Sequence, residues 1–265
     1  MDAEEDTSLT INAAIESGDT GRWYGRLIGL LGTYAKSDSK EGLLKELVEE
    51  LDYHLDWLNR HGETERVPRN RSLQVAEEVG GIRGLGESGG EVALFGFDRT
   101  PVDSRLLEKG IRYMHHSRDD LMMTVQGLDD GTMDRVPSGK RRSIRDILSH
   151  VCNAEEFYLS RLGPEADGIY EGHLGMPVSR CDELPILERL PVVRSGCVQT
   201  LRELVPQKKG LVFQRAEYTA HPEEKWTAYK VMRRYLEHER EHIYNIREYL
   251  GYRPRGTGTS KDPGR

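Results

Sequence analysis

The sequence contains few cysteines, and their spacing does not suggest a covalent or metal-bound framework. The three cysteines, Cys152, Cys181 and Cys197, are odd in number and form no CxxC motif. Disulfide scaffolds and thiolate zinc sites normally need paired or closely spaced cysteines. We therefore expect reduced, mostly buried thiols.

The sequence shows no long apolar run and no excess of positive charge, and its first residues do not have the pattern of a signal peptide. No stretch reaches the ~18 to 20 apolar residues that span a bilayer, and Met1 to Asp6 is acidic where a signal peptide is basic. Lys and Arg number 38 against 45 Asp and Glu, for a net charge of −7, whereas nucleic-acid binders usually present a basic surface. These features predict a soluble, cytoplasmic protein without a membrane span, and they disfavour DNA binding.

The order of strand and helix patterns predicts an α+β protein of two domains of modest size, and a length of 265 residues is sufficient for both. We assign a small β-rich domain to residues 1–62 and a glycine-rich connecting segment with strands to 63–99. Residues 100–252 then predict an all-α four-helix bundle. The tail at 253–265 is rich in glycine and charge, which favours disorder.

The first domain begins with a predicted hairpin, because residues 8–15 and 22–28 have strand character and flank a turn signal. A short strand and then a helix follow. Ser39 caps the helix, which ends near Gly62 and carries leucines at helical spacing: Leu43, Leu44, Leu47, Leu51, Leu55 and Leu58. This order resembles the HicB-like domain over about residues 8–61. The resemblance implies a small fold related to ribonuclease H, in a family known mainly from antitoxins.

Two further strands are predicted in the connecting segment, at 72–76 and at Glu91–Phe97. Between them, the run from Gly84 to Gly89 satisfies GxGxxG, the nominal dinucleotide motif. That motif requires glycines that open a helix, so that the helix N-terminus meets the pyrophosphate. Here they lead into a predicted strand, so the pattern indicates a turn.

Helical periodicity places four longer helices in the second domain. They are expected at about 103–128, 143–162, 185–204 and 225–250. The connection from 163 to 183 is long and rich in glycine, and we expect it to be a lid or a second-layer loop. It carries His173, a loop histidine in this interpretation.

Three histidines in these helices form the most informative pattern in the chain. His238 and His242 are four residues apart, so they lie one above the other on one helix face. His150 lies within about 60° of Ile147, Ala154 and Phe157 in an earlier periodic run, so it faces inward. A lone inward histidine can equally be a hydrogen-bonded core residue, and a pair within a charged run can be solvated.

The residues around these histidines resemble the DinB-like superfamily. The run from Arg142 to Val151, followed by Glu155 to Tyr158, resembles its second helix, and the segment from Trp226 to Ile243 resembles its last. The resemblance spans about residues 100–250. It implies a four-helix bundle whose metal ligands are His150, His238 and His242.

Three imidazoles leave coordination positions open, which favours chemistry over a purely structural role. A divalent metal lowers the pKa of a bound water or thiol and so generates a nucleophile. Zinc or nickel fits an imidazole site best, and iron and manganese are further options. Asn153 is a candidate to hydrogen-bond a ligand histidine and Tyr235 a candidate to line the pocket, although core packing is the commoner role for such a tyrosine.

Two functions follow from these interpretations. The first is a divalent-metal-dependent hydrolase or thiol-dependent transferase that acts on a small molecule. The DinB-like resemblance implies a low-molecular-weight thiol as an optional cofactor. The alternative is a non-catalytic regulatory protein with a structural metal, whose HicB-like domain binds a protein partner as antitoxins do. A homodimer is compatible with either function.

Overall fold

A computed structural model describes residues 9–65, 67 and 71–255, and these fall into two compact units that divide between Phe97 and Asp98. The N-terminal unit contains a four-stranded sheet and one long helix, and seven further α-helices lie in the described part of the second unit. The predicted α+β class is confirmed. The predicted tail lies largely outside the described residues.

The N-terminal sheet has the order β3-β2-β1-β4. Its strands are β1 (Leu9–Gly18), β2 (Trp23–Leu27), β3 (Ala35–Ser37) and β4 (Arg71–Ile82), and helix α1 (Lys40–Arg60) connects β3 to β4. Strand β4 pairs in parallel with β1. A parallel pair needs a long crossover, which α1 supplies. Leu43, Leu47 and Leu51 of α1 pack on Ala13, Ile15 and Leu27 of the sheet.

The predicted strand at Glu91–Phe97 is wrong. Residues 91–95 follow turns that contain Gly84 and Gly89, and they join no ladder before the 3₁₀ turn Phe97–Arg99. Carboxylates occupy the backbone donors that a neighbouring strand would use. Glu16 accepts from the Ala93 amide at 2.6 Å, and Glu77 accepts from the Phe97 amide at 3.1 Å.

Four long helices of the second unit pack as a bundle. They are α2 (Ser104–Val125), α4 (Ile144–Ser160), α7 (Ile186–Leu204) and α8 (Ala228–Tyr249). Each helix begins and ends within three residues of the bounds expected from the sequence. Helices α2 and α4 each contact both α7 and α8. Side-chain caps set three of the helix starts, with Asp103, Ser143 and Thr227 each accepting from a backbone amide of the first turn. Short helix α3 (Asp130–Asp134) precedes α4.

The connection between α4 and α7 is not a loop. It folds into α5 (Glu165–Leu174) and α6 (Val178–Asp182). Tyr170 of α5 is buried against Gly196 of α7, where a Cβ would come within 2.9 Å of the tyrosine ring. The absence of a side chain at Gly196 therefore lets α5 pack closely on the bundle. His173 lies on α5, with Nε2 2.8 Å from a carboxylate oxygen of Glu203, so it joins a surface pair.

None of the helices within the described ranges is both long enough and apolar enough to cross a membrane.

Candidate metal centre

Helices α4 and α8 bring the three predicted ligands together. His150 lies on α4, and His238 and His242 lie one turn apart on α8. The Nε2 atom of His238 is 3.1 Å from Nε2 of His150 and 3.0 Å from Nε2 of His242. One ligand atom from each residue lies within 4.8 Å of the other two. The sequence alone could not establish this convergence, because it gives no contact between the two helices.

The spacing of the nitrogens fits a single metal ion. Metal–imidazole bonds of ~2.0 to 2.1 Å place two ligand nitrogens about 2.9 Å apart at a right angle and about 3.4 Å apart at a tetrahedral angle. The observed separations of 3.0 and 3.1 Å lie between these limits. The ligand atoms of the third pair, His150 and His242, lie within 4.8 Å of each other. Three protein ligands leave other positions on an ion for small ligands.

Burial favours the neutral form of His150 and His238, which is the form that binds a metal. Burial, helped by the positive charge of Arg142, lowers the pKa of His150 to about 4. Burial also lowers the pKa of His238 well below its usual value, and the neighbouring His242 and His150 act in the same direction. His238 and His242 are both buried, and His150 is half-buried, so the site reaches solvent on the α4 side.

Tyr158 and Arg234 adjoin the histidines and were missed in the sequence. The Tyr158 ring lies edge-on to His238, with ring centroids 5.6 Å apart. Its hydroxyl accepts a hydrogen bond from Nη2 of Arg234 at 3.1 Å. Arg234 precedes His238 by four residues, so helical spacing could have placed it on the histidine face of α8. Tyr158 follows His150 by eight residues and lies about 80° round α4 from it, so the same rule does not apply to Tyr158.

Asn153 and Tyr235, the two other candidates, have different partners. The Asn153 side-chain oxygen accepts from Arg189 at 2.8 Å, on an exposed part of α4. The Tyr235 hydroxyl donates to the backbone carbonyl of Glu155 at 2.8 Å, and its side chain is fully buried. These contacts tie Asn153 to α7, and they make Tyr235 a core residue that joins α8 to α4.

The cysteines of the chain are free and buried. Burial raises the pKa of Cys152 to about 12, and it raises the pKa of Cys197 well above its usual value. Both side chains are therefore thiols, not thiolates, at neutral pH. A thiolate nucleophile at this site would have to come from another molecule.

A helical bundle with three convergent imidazoles belongs to the class of proteins that can hold a divalent metal ion between helices. The family model of the DinB superfamily matches residues 113–246, slightly more than half of the chain. The match begins in α2, ends in α8 and includes all three histidines. The chain therefore belongs to the DinB superfamily.

No curated protein and no solved structure matches this chain. The DinB match begins beyond the N-terminal unit, so it does not bear on that unit. The HicB-like resemblance of that unit remains a prediction from the sequence.

Proposed function

We propose that the protein is a divalent-metal-dependent enzyme in which His150, His238 and His242 are the metal ligands. The convergence of three Nε2 atoms, two pairs of them 3.0 and 3.1 Å apart, is the observation that carries this proposal. Zinc or nickel is the expected ion, since imidazole suits both, and iron and manganese are the next candidates.

The proposed reaction is a hydrolysis or a thiol transfer on a small-molecule substrate. A bound divalent ion would supply Lewis acidity and make water or a thiol acidic enough to be a nucleophile near pH 7. The three histidines would hold the ion, and burial favours the neutral, metal-binding form of His150 and His238. Tyr158 and Arg234 would bind polar groups of the substrate beside His238.

The thiol route requires a low-molecular-weight thiol as co-substrate. Cys152, Cys181 and Cys197 are buried, and burial raises the pKa of each of them. The ion would therefore be expected to activate an external thiol. The hydrolytic route needs only water and uses the same ligands.

The experiment begins with the metal content of the purified chain, measured by mass spectrometry. The wild type should carry about one ion per chain, and His238→Ala and His242→Ala should each lose it. His173→Ala is the matched control, because His173 pairs with Glu203 on the surface and should leave metal content unchanged. A metal-loaded protein should then be screened for thiol conjugation and hydrolysis. Wild type and triple histidine variant with equal, negligible metal would refute the proposal.

An alternative proposal gives the protein a regulatory role through its N-terminal unit, with the metal serving structure only. The HicB-like order of hairpin, short strand and helix motivates it, and β4 supports it, because this twelve-residue strand lies at the edge of the sheet. Edge strands are common pairing sites for another chain. Capture of a small, basic, RNA-cleaving partner by the full chain, lost on a charge-reversing change in β4, would favour this role. Cytoplasmic location and a homodimer are proposed with either function.

A further inference from the structure

A closed ring of four buried charges crosses the centre of the bundle, with one residue from each long helix. Arg118 of α2 and Arg194 of α7 each bind both Glu155 of α4 and Glu239 of α8. Arg118 Nε donates to Glu239 at 2.7 Å, and Arg194 donates to Glu239 at 3.1 Å and, through Nε, to Glu155 at 3.2 Å. We call these four residues the ion ring.

Each arginine of the ion ring also donates a hydrogen bond to a backbone carbonyl of another long helix. Arg118 donates to the carbonyl of Leu190 on α7, and Arg194 donates to the carbonyl of Met114 on α2. Each carboxylate of the ring lies within ion-pair distance of both guanidinium groups. The ring therefore carries two positive and two negative groups that satisfy one another inside the bundle.

Stability alone is a poor explanation for such a ring. Taking four charges out of water is costly, and well-packed apolar residues of similar volume often replace a buried ion network without loss of stability. The best-attested role of buried polar groups is to select one register among alternative helix packings. An apolar core tolerates small slips between helices, whereas a ring of directional bonds does not.

Two members of the ion ring lie on α4 and α8, the helices that carry the histidines, and they are close to the histidines in sequence. Glu239 directly follows His238 on α8, and Glu155 follows His150 by five residues on α4. At ~3.6 residues per turn, these carboxylates lie about 100° and 140° round their helices from the histidines. Tyr235 of α8 also joins α8 to α4, because its hydroxyl donates to the backbone carbonyl of Glu155.

We infer that the ion ring is the positioning device of the proposed metal centre: it holds α4 and α8 in the one register in which His150 meets His238. Nitrogens 3.0 to 3.1 Å apart leave little tolerance, whereas a slip of one turn moves a helix by ~5.4 Å. This inference rests on the proposed metal site. The four residues are positioning residues and need not touch substrate.

The test replaces the whole ring with apolar residues in the full-length chain, as Arg118→Met, Glu155→Leu, Arg194→Met and Glu239→Leu together. The folded variant should bind Zn²⁺ at least about tenfold more weakly than wild type, which is the loss typical of residues that orient metal ligands. Affinity is measured by competition with a chromophoric chelator, and helix content by circular dichroism. Arg194→Lys keeps the charge but not the bidentate geometry, and should weaken Zn²⁺ binding less.

The matched control removes another buried ion pair from the same helix. Arg233 of α8 binds Asp98, which precedes the bundle and is not on α4. Glu237 retains Arg234 when Arg233 is changed. Arg233→Met with Asp98→Leu should therefore keep Zn²⁺ affinity within about twofold of wild type. Equal Zn²⁺ affinity in wild type and in the folded ring variants would overturn the inference.

A metal-free readout separates this inference from the proposed function. The rings of His150 and His238 lie 4.9 Å apart between centroids. Nuclear Overhauser contacts between them should be present in the apo wild type and in the control. They should be lost in the quadruple variant, or in Arg194→Lys if the quadruple variant does not fold. A wild type that binds no metal but keeps the contact refutes the proposed function alone, and a contact that persists in the ring variants overturns the inference.

Discussion

The described parts of the two units differ in how many charged side chains they bury: the N-terminal unit buries the Glu16–Arg26 pair, and the bundle buries several such pairs. In the N-terminal unit, leucines of α1 pack on small and aliphatic side chains of a sheet. In the bundle, α8 buries Arg233, Glu237 and Glu239 together with two histidines, and each of these charges has a counter-charge. An apolar core stabilises through the area that it removes from water. A paired polar core instead favours one arrangement of its helices, which is what a site built from separate helices requires.

The largest effect should come from breaking the ion ring at one member. Glu239→Ala would leave Arg118 and Arg194 buried with one carboxylate fewer, and removing one partner of a buried pair costs ~3 to 5 kcal/mol. Native-state hydrogen exchange of α8 peptides, read by mass spectrometry, should report this loss. Arg202→Ala is the control, because its pair with Glu108 is half-exposed and should contribute less than about 1 kcal/mol. Equal losses in both variants would contradict the distinction between the ring and the surface pair.

The apolar core should respond to a cavity, not to an unpaired charge. Leu47→Ala removes a fully buried side chain that packs against Gly25 of β2, and such changes cost ~2 to 5 kcal/mol. The loss should appear as faster exchange in α1 peptides. Leu47→Met conserves volume better and should cost less than ~1.5 kcal/mol. A Met variant as unstable as the Ala variant would mean that cavity formation is not the cause.

Metal removal should distinguish the two units through thermal stability. At a free concentration one hundred times its Kd, an ion that binds only the native state stabilises by ~2.7 kcal/mol. Zn²⁺ should therefore raise the bundle's melting temperature, and a chelator should reverse the change. His150→Ala should abolish the response while the helical signal persists. A melting temperature that ignores chelator in a protein first shown to be metal-loaded would make His150 an ordinary core residue.

Hydrophobic periodicity predicted the four long helices of the bundle, but it did not predict how the connecting segments pack. The spacing of apolar residues, with caps such as Ser143, placed the four long helices to within three residues. The glycines between 163 and 175 suggested a loop, whereas the absence of a side chain at Gly196 leaves room for Tyr170 of α5 to pack on α7. Strand character at 91–97 was misleading because Glu16 and Glu77, distant in sequence, take the backbone donors.

The same limit explains what was missed near the histidines. His150, His238 and His242 share faces that a helical projection shows, so their convergence could be predicted once α4 and α8 were assumed to pack. Glu155 lies about 140° round α4 from His150, so a helical projection does not place it beside the histidines. Its partners Arg118 and Arg194 are 37 and 39 residues away in the sequence, and no local pattern joins them.

The smallest predicted effect concerns pH and sharpens the contrast between buried charge and buried neutral groups. Burial raises the pKa of Cys152 from 9.0 to about 12. A raised pKa means that folding favours the protonated thiol, so its contribution is complete below pH 9 and is lost as pH rises towards 12. Between pH 9 and 10, Cys152→Ala should reduce the fall in unfolding free energy by at most ~1.4 kcal/mol. Iodoacetamide labelling of the native protein at pH 8 should likewise be slow at Cys152 and become rapid on unfolding. Rapid native labelling would mean that this thiol is exposed or ionised, and it would reopen the possibility that the chain supplies its own thiolate.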